Sequence, residues 1–231
     1  MKTLTISHNL ALKYPGLKVS YAVLEGLNVL PTPPRLKKQA RASEKEIRDA
    51  FSGKGIDSDA IIDSWKQLAN RMHISDSDSL PAQIGLIARV LGGREIWKIN
   101  NIVDSGNIVA LKSRSPVGMF DYDKICDYIA LRESALNETY IPLLASQSEI
   151  VTVGEVVYSD SAGIFSRYCK DSDRTKITES TVRILTVIDG TPEVSIDTLE
   201  HAKAFLLDLI KLTCPNLVVL QSDTVVAALP Q

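Results

Sequence analysis

The sequence predicts an α+β fold, in which a helical N-terminal half packs on mixed, largely antiparallel β-sheets. Residues 31–91 carry apolar side chains at helical spacing between charged ones. After Pro116 the chain changes to short, partly alternating, turn-bounded runs that are typical of strands. The length of 231 residues, the 45% hydrophobic content and the lack of an obvious linker indicate one domain over residues 1–231.

Two short strands are expected near the N-terminus. Leu4 to Ser7 and Lys18 to Leu24 both alternate, and the turn residues Tyr14-Pro15-Gly16 lie between them. We expect these two strands to pair or to join one sheet.

Helical spacing continues through the next part of the chain. Prolines 31, 33 and 34 precede a charged surface helix with Leu36, Ala40, Ile47 and Phe51 at helical spacing, and Asp57 to Met72 places an apolar face around Trp65. Ser79-Leu80-Pro81 then begins a third helix, which ends before Gly92-Gly93, and a fourth begins at about Asn101.

The second half predicts strands and one long helix. The apolar stripe from Asp197 to Leu212 predicts the helix. The expected strands are Val117–Phe120, Asp127–Leu131, Glu155–Ser159, Gly163–Cys169, Arg183–Ile188 and Leu217–Gln221.

Composition limits the possible functions. A net charge of −2 and a pI near 6.0 provide no global positive field, so we expect no DNA partner, and any RNA contact must be local. Three separated cysteines without CxxC spacing disfavour a disulfide framework and a zinc site, which fits a reducing cytoplasm.

Neither a secretory signal nor a membrane span is evident. Nucleotide, zinc-protease and nucleophile-elbow motifs are absent, so we expect no cofactor and no metal.

Several polar motifs have ordinary structural interpretations. The histidines at 8, 73 and 201 are far apart, which disfavours a catalytic base, and Cys126 is interpreted as a small buried hydrophobe. Asp121-Tyr122-Asp123 could bind a cation, but a turn with a helix N-cap is favoured. The run Asp171-Ser172-Asp173-Arg174 is interpreted as a solvated turn.

The fourth helix carries the first candidate for ligand binding. Asn107 offers both hydrogen-bond donors and acceptors, and the neighbouring Gly106 permits close approach by a backbone or a ligand. A Pro-x-Gly turn, Pro116 to Gly118, follows shortly afterwards. We therefore expect Asn107 to be a ligand contact.

Three segments in order carry a resemblance to a known family. They are RVLGGREIWKINNIVDSGNIVALKSRSPVGMFDYDKI with the DYIALRES that follows, then TVGEVVYSDSAGIFSRYCKDSDRTKITEST, and a closing IDG. Over roughly residues 80–190 the chain resembles the B3/B4 domain of the phenylalanyl-tRNA synthetase beta subunit, in its freestanding form. The ordered series is specific, although each motif alone is weak.

The resemblance implies an editing pocket that hydrolyses the ester of an amino acid wrongly attached to tRNA, chiefly tyrosine. Asn107 and Pro116 match the family pattern, and Gly163 matches its strand glycine. Gly106 replaces a threonine, Gly118 stands where the family has a histidine, and Val187 lies near the expected glutamate.

These departures put tyrosine editing in doubt. An apolar side chain at 187 cannot recognise a hydroxyl by hydrogen bonding, and such recognition is what gives strong selection for a hydroxylated substrate.

Three hypotheses remain open at the level of sequence. The first is an editing-like domain that accepts a tRNA or its aminoacylated end, without synthetase activity, and acts as an aminoacyl-tRNA deacylase. Its ligand-binding residues would be Asn107, Pro116, Gly118 and Gly163, and its catalytic residue is unknown, with Asp104 and Glu155 as weak candidates for the base. The second is a non-catalytic module that binds RNA or a small ligand, and the third is a structural interaction domain. All four ligand-binding residues also have purely architectural explanations.

Overall fold

The structure, a computed structural model, describes residues 1–72 and 80–228. Its helices are α1 His8–Lys13, α2 Pro34–Ala50, α3 Ala60–Arg71, α4 Ala82–Leu91, α5 Asn101–Ser113 and α6 Ile196–Lys211. Its strands are β1 Leu4–Ile6, β2 Lys18–Glu25, β3 Val117–Asp121, β4 Ile129–Glu133, β5 Thr139–Tyr140, β6 Glu149–Ile150, β7 Val156–Asp160, β8 Gly163–Arg167, β9 Arg183–Gly190 and β10 Val218–Val226. The predicted α+β class is confirmed.

The strands form two four-stranded sheets and one short hairpin. The first sheet has the order β1-β4-β7-β8, and only its β1–β4 pair is parallel. The second sheet has the order β10-β2-β9-β3 and is antiparallel throughout. Strands β5 and β6 pair separately. The sheets are therefore mixed and largely antiparallel, as predicted.

The expected pairing of the two N-terminal strands is wrong. β1 belongs to the first sheet and β2 to the second, and the helix α1 lies between them. The Ser7 hydroxyl caps α1 by accepting a hydrogen bond from the Leu10 amide. Alternating hydrophobicity identifies a strand but says nothing about its partner, whereas the short helix carries the chain from one sheet to the other.

The longer helices begin where local sequence signals place them. Pro34 occupies the first turn of α2, and Asp59 caps α3 by accepting hydrogen bonds from two backbone amides. The predicted start of α4 at Ser79 lies outside the described residues, and α4 itself begins at Ala82. Within residues 1–72 and 80–228, every helix is too short or too polar to cross a bilayer.

The two larger sheets face each other across an aromatic contact. Phe120 of β3 packs edge-on against Phe165 of β8 with ring centroids 5.1 Å apart, and it also contacts Tyr158 of β7. Helix α5 packs on the opposite face of β3, where an added Cβ on Gly106 would lie 3.0 Å from Met119 Sδ. Strand β3 is thus the edge strand of the second sheet. One of its faces contacts the first sheet, and its other face contacts α5.

Two loop interpretations have clear outcomes. Asp121 caps a short 3-10 helix, Tyr122–Lys124, by accepting a hydrogen bond from the Asp123 amide, which confirms the predicted cap. Cys126 is exposed, so its interpretation as a buried hydrophobe is wrong. It lies in the irregular segment before β4, where the next residue, Asp127, has a φ of 51°.

Candidate functional site

Two adjoining clefts lie at the edge of β3. The first, of about 220 Å³, opens between the two large sheets, and the second, of about 400 Å³, lies between α5 and the segment 171–177. The residues that line both clefts are Ala82, Val117, Phe120, Leu143 and Asp171. The two clefts therefore meet at β3, close to Asp171.

The floor of the first cleft comes from β3 and β9. Gly118 is the register partner of Val187, and the Asp189 amide donates to the Pro116 carbonyl at 3.1 Å. Side chains alternate along a strand, so Val187 and Asp189 project from the same face of β9. An acid thus lines the cleft two residues beyond the position where the family resemblance led us to expect a glutamate.

The opposite wall comes from β7 and β8. Tyr158 and Ser166 are register partners, so their side chains lie side by side. The Tyr158 hydroxyl donates to Asp189 Oδ1 at 2.6 Å, and the Ser166 hydroxyl donates to Asp171 Oδ1 at 2.8 Å. Two neighbouring hydroxyl groups on one sheet therefore hold two carboxylates in the same cleft.

Both carboxylates have unusual electrostatics. Burial raises the pKa of Asp189 to about 7, against the opposing effect of its tyrosine neighbours, and burial raises the pKa of Asp171 to about 6. Neither forms an ion pair with a lysine or arginine of the described residues. Perturbed carboxylates that line a cleft are typical of functional sites.

A tyrosine beside Asp189 has a hydroxyl that makes no hydrogen bond of good geometry within the described residues. Tyr168 is only 7% exposed and packs edge-on against Trp65, and its hydroxyl has no hydrogen-bond partner of good geometry among residues 1–72 and 80–228. Burial, then the charge of Asp189, and then hydrogen bonding to that carboxylate raise the pKa of this phenol well above its ordinary value. The hydroxyl therefore stays protonated and is available to a ligand.

Glu155, a weak candidate for the catalytic base, supports the cleft indirectly. It forms a two-point ion pair with Arg167, at 2.5 and 2.7 Å, and does not itself line either cleft. Burial lowers the pKa of Arg167, but its hydrogen bonds to Glu155 and Tyr140 outweigh burial and hold that pKa above its ordinary value. Arg167 lines the first cleft as a permanent cation.

Asp104, the other weak candidate, lies at the start of α5. Its carboxylate accepts hydrogen bonds from the Thr32 hydroxyl and, at 2.9 Å, from the Ile99 amide, and burial raises its pKa. It lines neither cleft. These contacts tie the N-terminus of α5 to the preceding loop.

The structure distributes the four candidate ligand-binding residues unevenly. Asn107 is half-buried and lines the second cleft, whereas Pro116 and Gly118 line the first, and the three meet at β3. Gly163 lines neither cleft. It is the first residue of β8, and its φ of +116° indicates that the chain needs a glycine there to leave the β7–β8 turn, since no atom lies within 4 Å of an added Cβ.

Packing explains the glycine at 118. A Cβ added there would lie 2.7 Å from the Phe120 ring and 2.9 Å from Val187 Cγ2. A histidine at this position would therefore have to displace both side chains.

The acids of the first cleft were missed or misread in the sequence. The run Asp171-Ser172-Asp173-Arg174 is not a solvated turn, because Ser172 is buried, Asp171 bonds to Ser166, and Arg174 forms a two-point ion pair with Asp160. Asp189 had a usable signal, since an acid inside the apolar run RILTVIDG needs a partner when that run is a buried strand.

None of the described histidines lines either of the two clefts. His8 and His201 are exposed, and His73 lies outside the described residues. Among the residues that the structure describes, no group of three or more His, Cys, Asp or Glu side chains is arranged to hold a metal ion.

Cations and an aromatic ring surround the clefts. Lys170 and Lys176 line the first and second cleft respectively, and their side chains are 46% and 37% exposed. Trp97 lies in a third cleft that shares Ala82 and Cys169 with the first, and the Arg89 guanidinium lies 4.5 Å from the centroid of its ring.

Comparisons with known proteins agree on one family. A family model described as "B3/4 domain" matches residues 72–205. The chain is 31% identical over 114 residues to the phenylalanine–tRNA ligase beta subunit of Mycoplasma genitalium, an alignment that covers 49% of this chain and 14% of that relative. The chain thus spans a small part of that relative's length.

The chain is also similar to solved structures, and at this identity the likeness concerns the fold alone. One of them is an N-terminal fragment of the phenylalanyl-tRNA synthetase beta subunit from Pyrococcus horikoshii, with a TM-score of 0.49 and 13% identity, over 91% of this chain and 48% of that one.

Proposed function

This chain belongs to the B3/4 domain family, and on that premise we propose that it binds the aminoacylated end of a tRNA and hydrolyses the ester of a mischarged amino acid. The observation that carries the proposal is the pair of cleft carboxylates Asp171 and Asp189, which form no ion pair with a described residue and lie beside the segment Pro116 to Gly118. Their pKa values of about 6 and about 7 suit proton transfer at neutral pH.

Asp171 is placed to act as general base. It is half-buried and lines both clefts, so an ester at their junction lies beside it. Its carboxylate takes a proton from water as the water oxygen bonds to the ester carbonyl carbon. The bond between that carbon and the ribose oxygen then breaks, and the ribose oxygen receives the proton that Asp171 took from the water. The products are the free amino acid and uncharged tRNA.

Asn107 is placed to orient the RNA end. Its amide lines the second cleft, so it can donate to and accept from a terminal ribose or base while the amino acid occupies the first cleft. Lys170 and Lys176 are placed to contact phosphates, and Trp97 offers an exposed ring on which a base can stack. The net charge of −2 limits RNA affinity to such local contacts.

A panel of mischarged tRNAs tests the hydrolase directly. We expect the purified protein to release at least one amino acid above the spontaneous rate. Asp171→Asn removes the base and should slow release about 100-fold or more, and Asn107→Ala should raise the tRNA concentration needed for half-maximal rate. Asp49→Asn is the control, because it makes the same charge change on an exposed helix position. Release at only the spontaneous rate across the panel would overturn the proposal.

A non-catalytic binding module is the second candidate. It is favoured by Gly118, because the site where the family resemblance places a histidine has no room for one beside Phe120 and Val187. Under this function the protein retains tRNA, in a salt-sensitive manner, without any deacylation. An electrophoretic shift with uncharged tRNA at two salt concentrations, run beside the deacylation panel, separates the two candidates.

A further inference from the structure

The first cleft holds two carboxylates, while Arg167, which also lines it, is already paired with Glu155. Asp189 is 2% exposed, and neither it nor Asp171 forms an ion pair with a described residue. An ionised carboxylate in such a position is costly unless a cation accompanies it. A ligand that brings its own positive charge would remove that cost.

An unused hydroxyl points to the same kind of ligand. Tyr168 is more than nine-tenths buried, lines the first cleft beside Asp189, and makes no hydrogen bond of good geometry within the described residues. Tyr158 occupies only Oδ1 of Asp189. A carboxylate oxygen and a phenol oxygen are therefore both available as acceptors, and an ammonium group has three donors to offer.

The cleft also discriminates against anions. Phosphate groups would meet two carboxylates inside the first cleft, where the Arg167 guanidinium is already paired with Glu155. Lys170 and Lys176 lie with their side chains partly exposed to solvent. The amino acid rather than the RNA backbone therefore belongs inside.

We infer that the first cleft is a recognition site for a primary ammonium group, held by Asp189 and Tyr168 with Asp171 adding its charge. This inference rests on the proposed function, in which the ammonium is the free α-amino group of the esterified amino acid. It adds a selection rule: aminoacyl ends with a blocked amino group are rejected, whatever their side chain.

Non-hydrolysable small ligands test the site apart from hydrolysis. The probes are amides of the twenty L-amino acids, each paired with its N-acetyl counterpart, titrated against the full chain with ligand-detected NMR. We expect at least one free-amine amide to bind about tenfold or more tightly than its acetylated partner, because acetylation removes the charge and two donors. Asp189→Asn and Tyr168→Phe should reduce or abolish that preference. The matched controls Asp49→Asn and Tyr128→Phe change exposed residues and should keep it.

The outcomes separate the site from the reaction. Equal binding of free and acetylated members in every pair, no binding of any free-amine amide, or an unchanged preference in Asp189→Asn would each overturn the ammonium site. Deacylation of mischarged tRNA would still stand in those cases. Conversely, an amine preference that depends on Asp189, in a protein that releases no amino acid, would support the site and overturn only the hydrolase.

Discussion

At the scale of single residues, buried acids are the main departure from an ordinary core. Asp189 interrupts the apolar strand β9, and its only side-chain hydrogen bond of good geometry within the described chain comes from Tyr158. The phenols of Tyr158 and Tyr168 face it from β7 and from the segment after β8, and Asp171, Arg167 and Lys170 line the same cleft. Burial of the Asp189 carboxylate costs free energy, so a role in ligand binding explains this residue better than a role in stability.

The pKa of Asp189 predicts a specific dependence of stability on pH. Because burial raises this pKa from 3.8 to about 7, the native state holds its proton between those pH values while the unfolded state releases it. The free energy of unfolding therefore falls, through this group, as pH rises from 4 to 7. Asp189→Asn keeps an acceptor for Tyr158 and should be more stable than the parent at pH 8 by on the order of 2–4 kcal/mol, but not at pH 4.

Urea denaturation of the parent and the Asp189→Asn variant at pH 4 and pH 8 measures this difference. The same change in unfolding free energy at both pH values would contradict the assigned pKa.

Two glycines predict opposite responses to the same substitution. Gly118→Ala brings a Cβ to 2.7 Å from the Phe120 ring and should destabilise the protein by about 1–3 kcal/mol. Gly85→Ala lies in α4 with no atom within 4 Å of the new Cβ, and should stabilise it by about 0.5–1 kcal/mol. Thermal unfolding of both variants provides the comparison, and a stabilised Gly118→Ala would show that this glycine is not required by packing.

At the scale of secondary-structure elements, the site depends on how α5 lies against β3. Asn100 fixes the start of α5, because its side-chain oxygen accepts hydrogen bonds from the amides of Ile102 and Val103 at 3.0 and 2.8 Å. Gly106 then lets the helix approach Met119 closely. Asn107 reaches the second cleft as a result of this packing.

Removal of the α5 cap should therefore affect both stability and binding. Asn100→Ala leaves two amides without a partner and should cost about 1 kcal/mol. Ser195→Ala removes the equivalent cap of α6, where the hydroxyl accepts from the Thr198 amide at 3.0 Å, at a similar cost. We expect only Asn100→Ala to weaken tRNA retention, since α6 does not line the first or second cleft. If both variants retain tRNA equally well, the position of α5 does not contribute to ligand binding.

At the scale of the whole molecule, charge limits how the protein can hold RNA. A net charge of −2 gives no general attraction, so the proposed affinity depends on the few cations near the clefts. The double variant Lys170→Ala/Lys176→Ala should lower tRNA affinity and reduce the slope of log K against log salt by up to about 1.4–1.8, because up to two phosphate contacts are lost.

The control for this variant changes two remote lysines, Lys45→Ala/Lys66→Ala, whose side chains pair with Asp49 and Asp57. Filter binding at several salt concentrations reports both affinity and slope. If the two double variants have the same tRNA affinity and the same salt slope, the RNA must bind to another surface.

The local signals in the sequence determined most of the elements, and the ordered series of motifs pointed to the family. Helical spacing and caps located α2, α3, α5 and α6, and alternation located most strands of the second half, because these patterns are properties of neighbouring residues. The short α1 and the two-residue strands β5 and β6 were missed, since elements of that length leave almost no periodic pattern.

Only the tertiary structure decided which acids share a cleft. Asp171 and Asp189 are 18 residues apart and lie on different elements, and a contact between the two sheets brings them together through Ser166 and Tyr158. The sequence by itself determined that Asn107, Pro116 and Gly118 are close to one another, because they lie on one helix and the strand that follows it. Which face each strand turns toward the other sheet is set by long-range packing, and burial of the acids, with their shifted pKa values, follows from that packing alone.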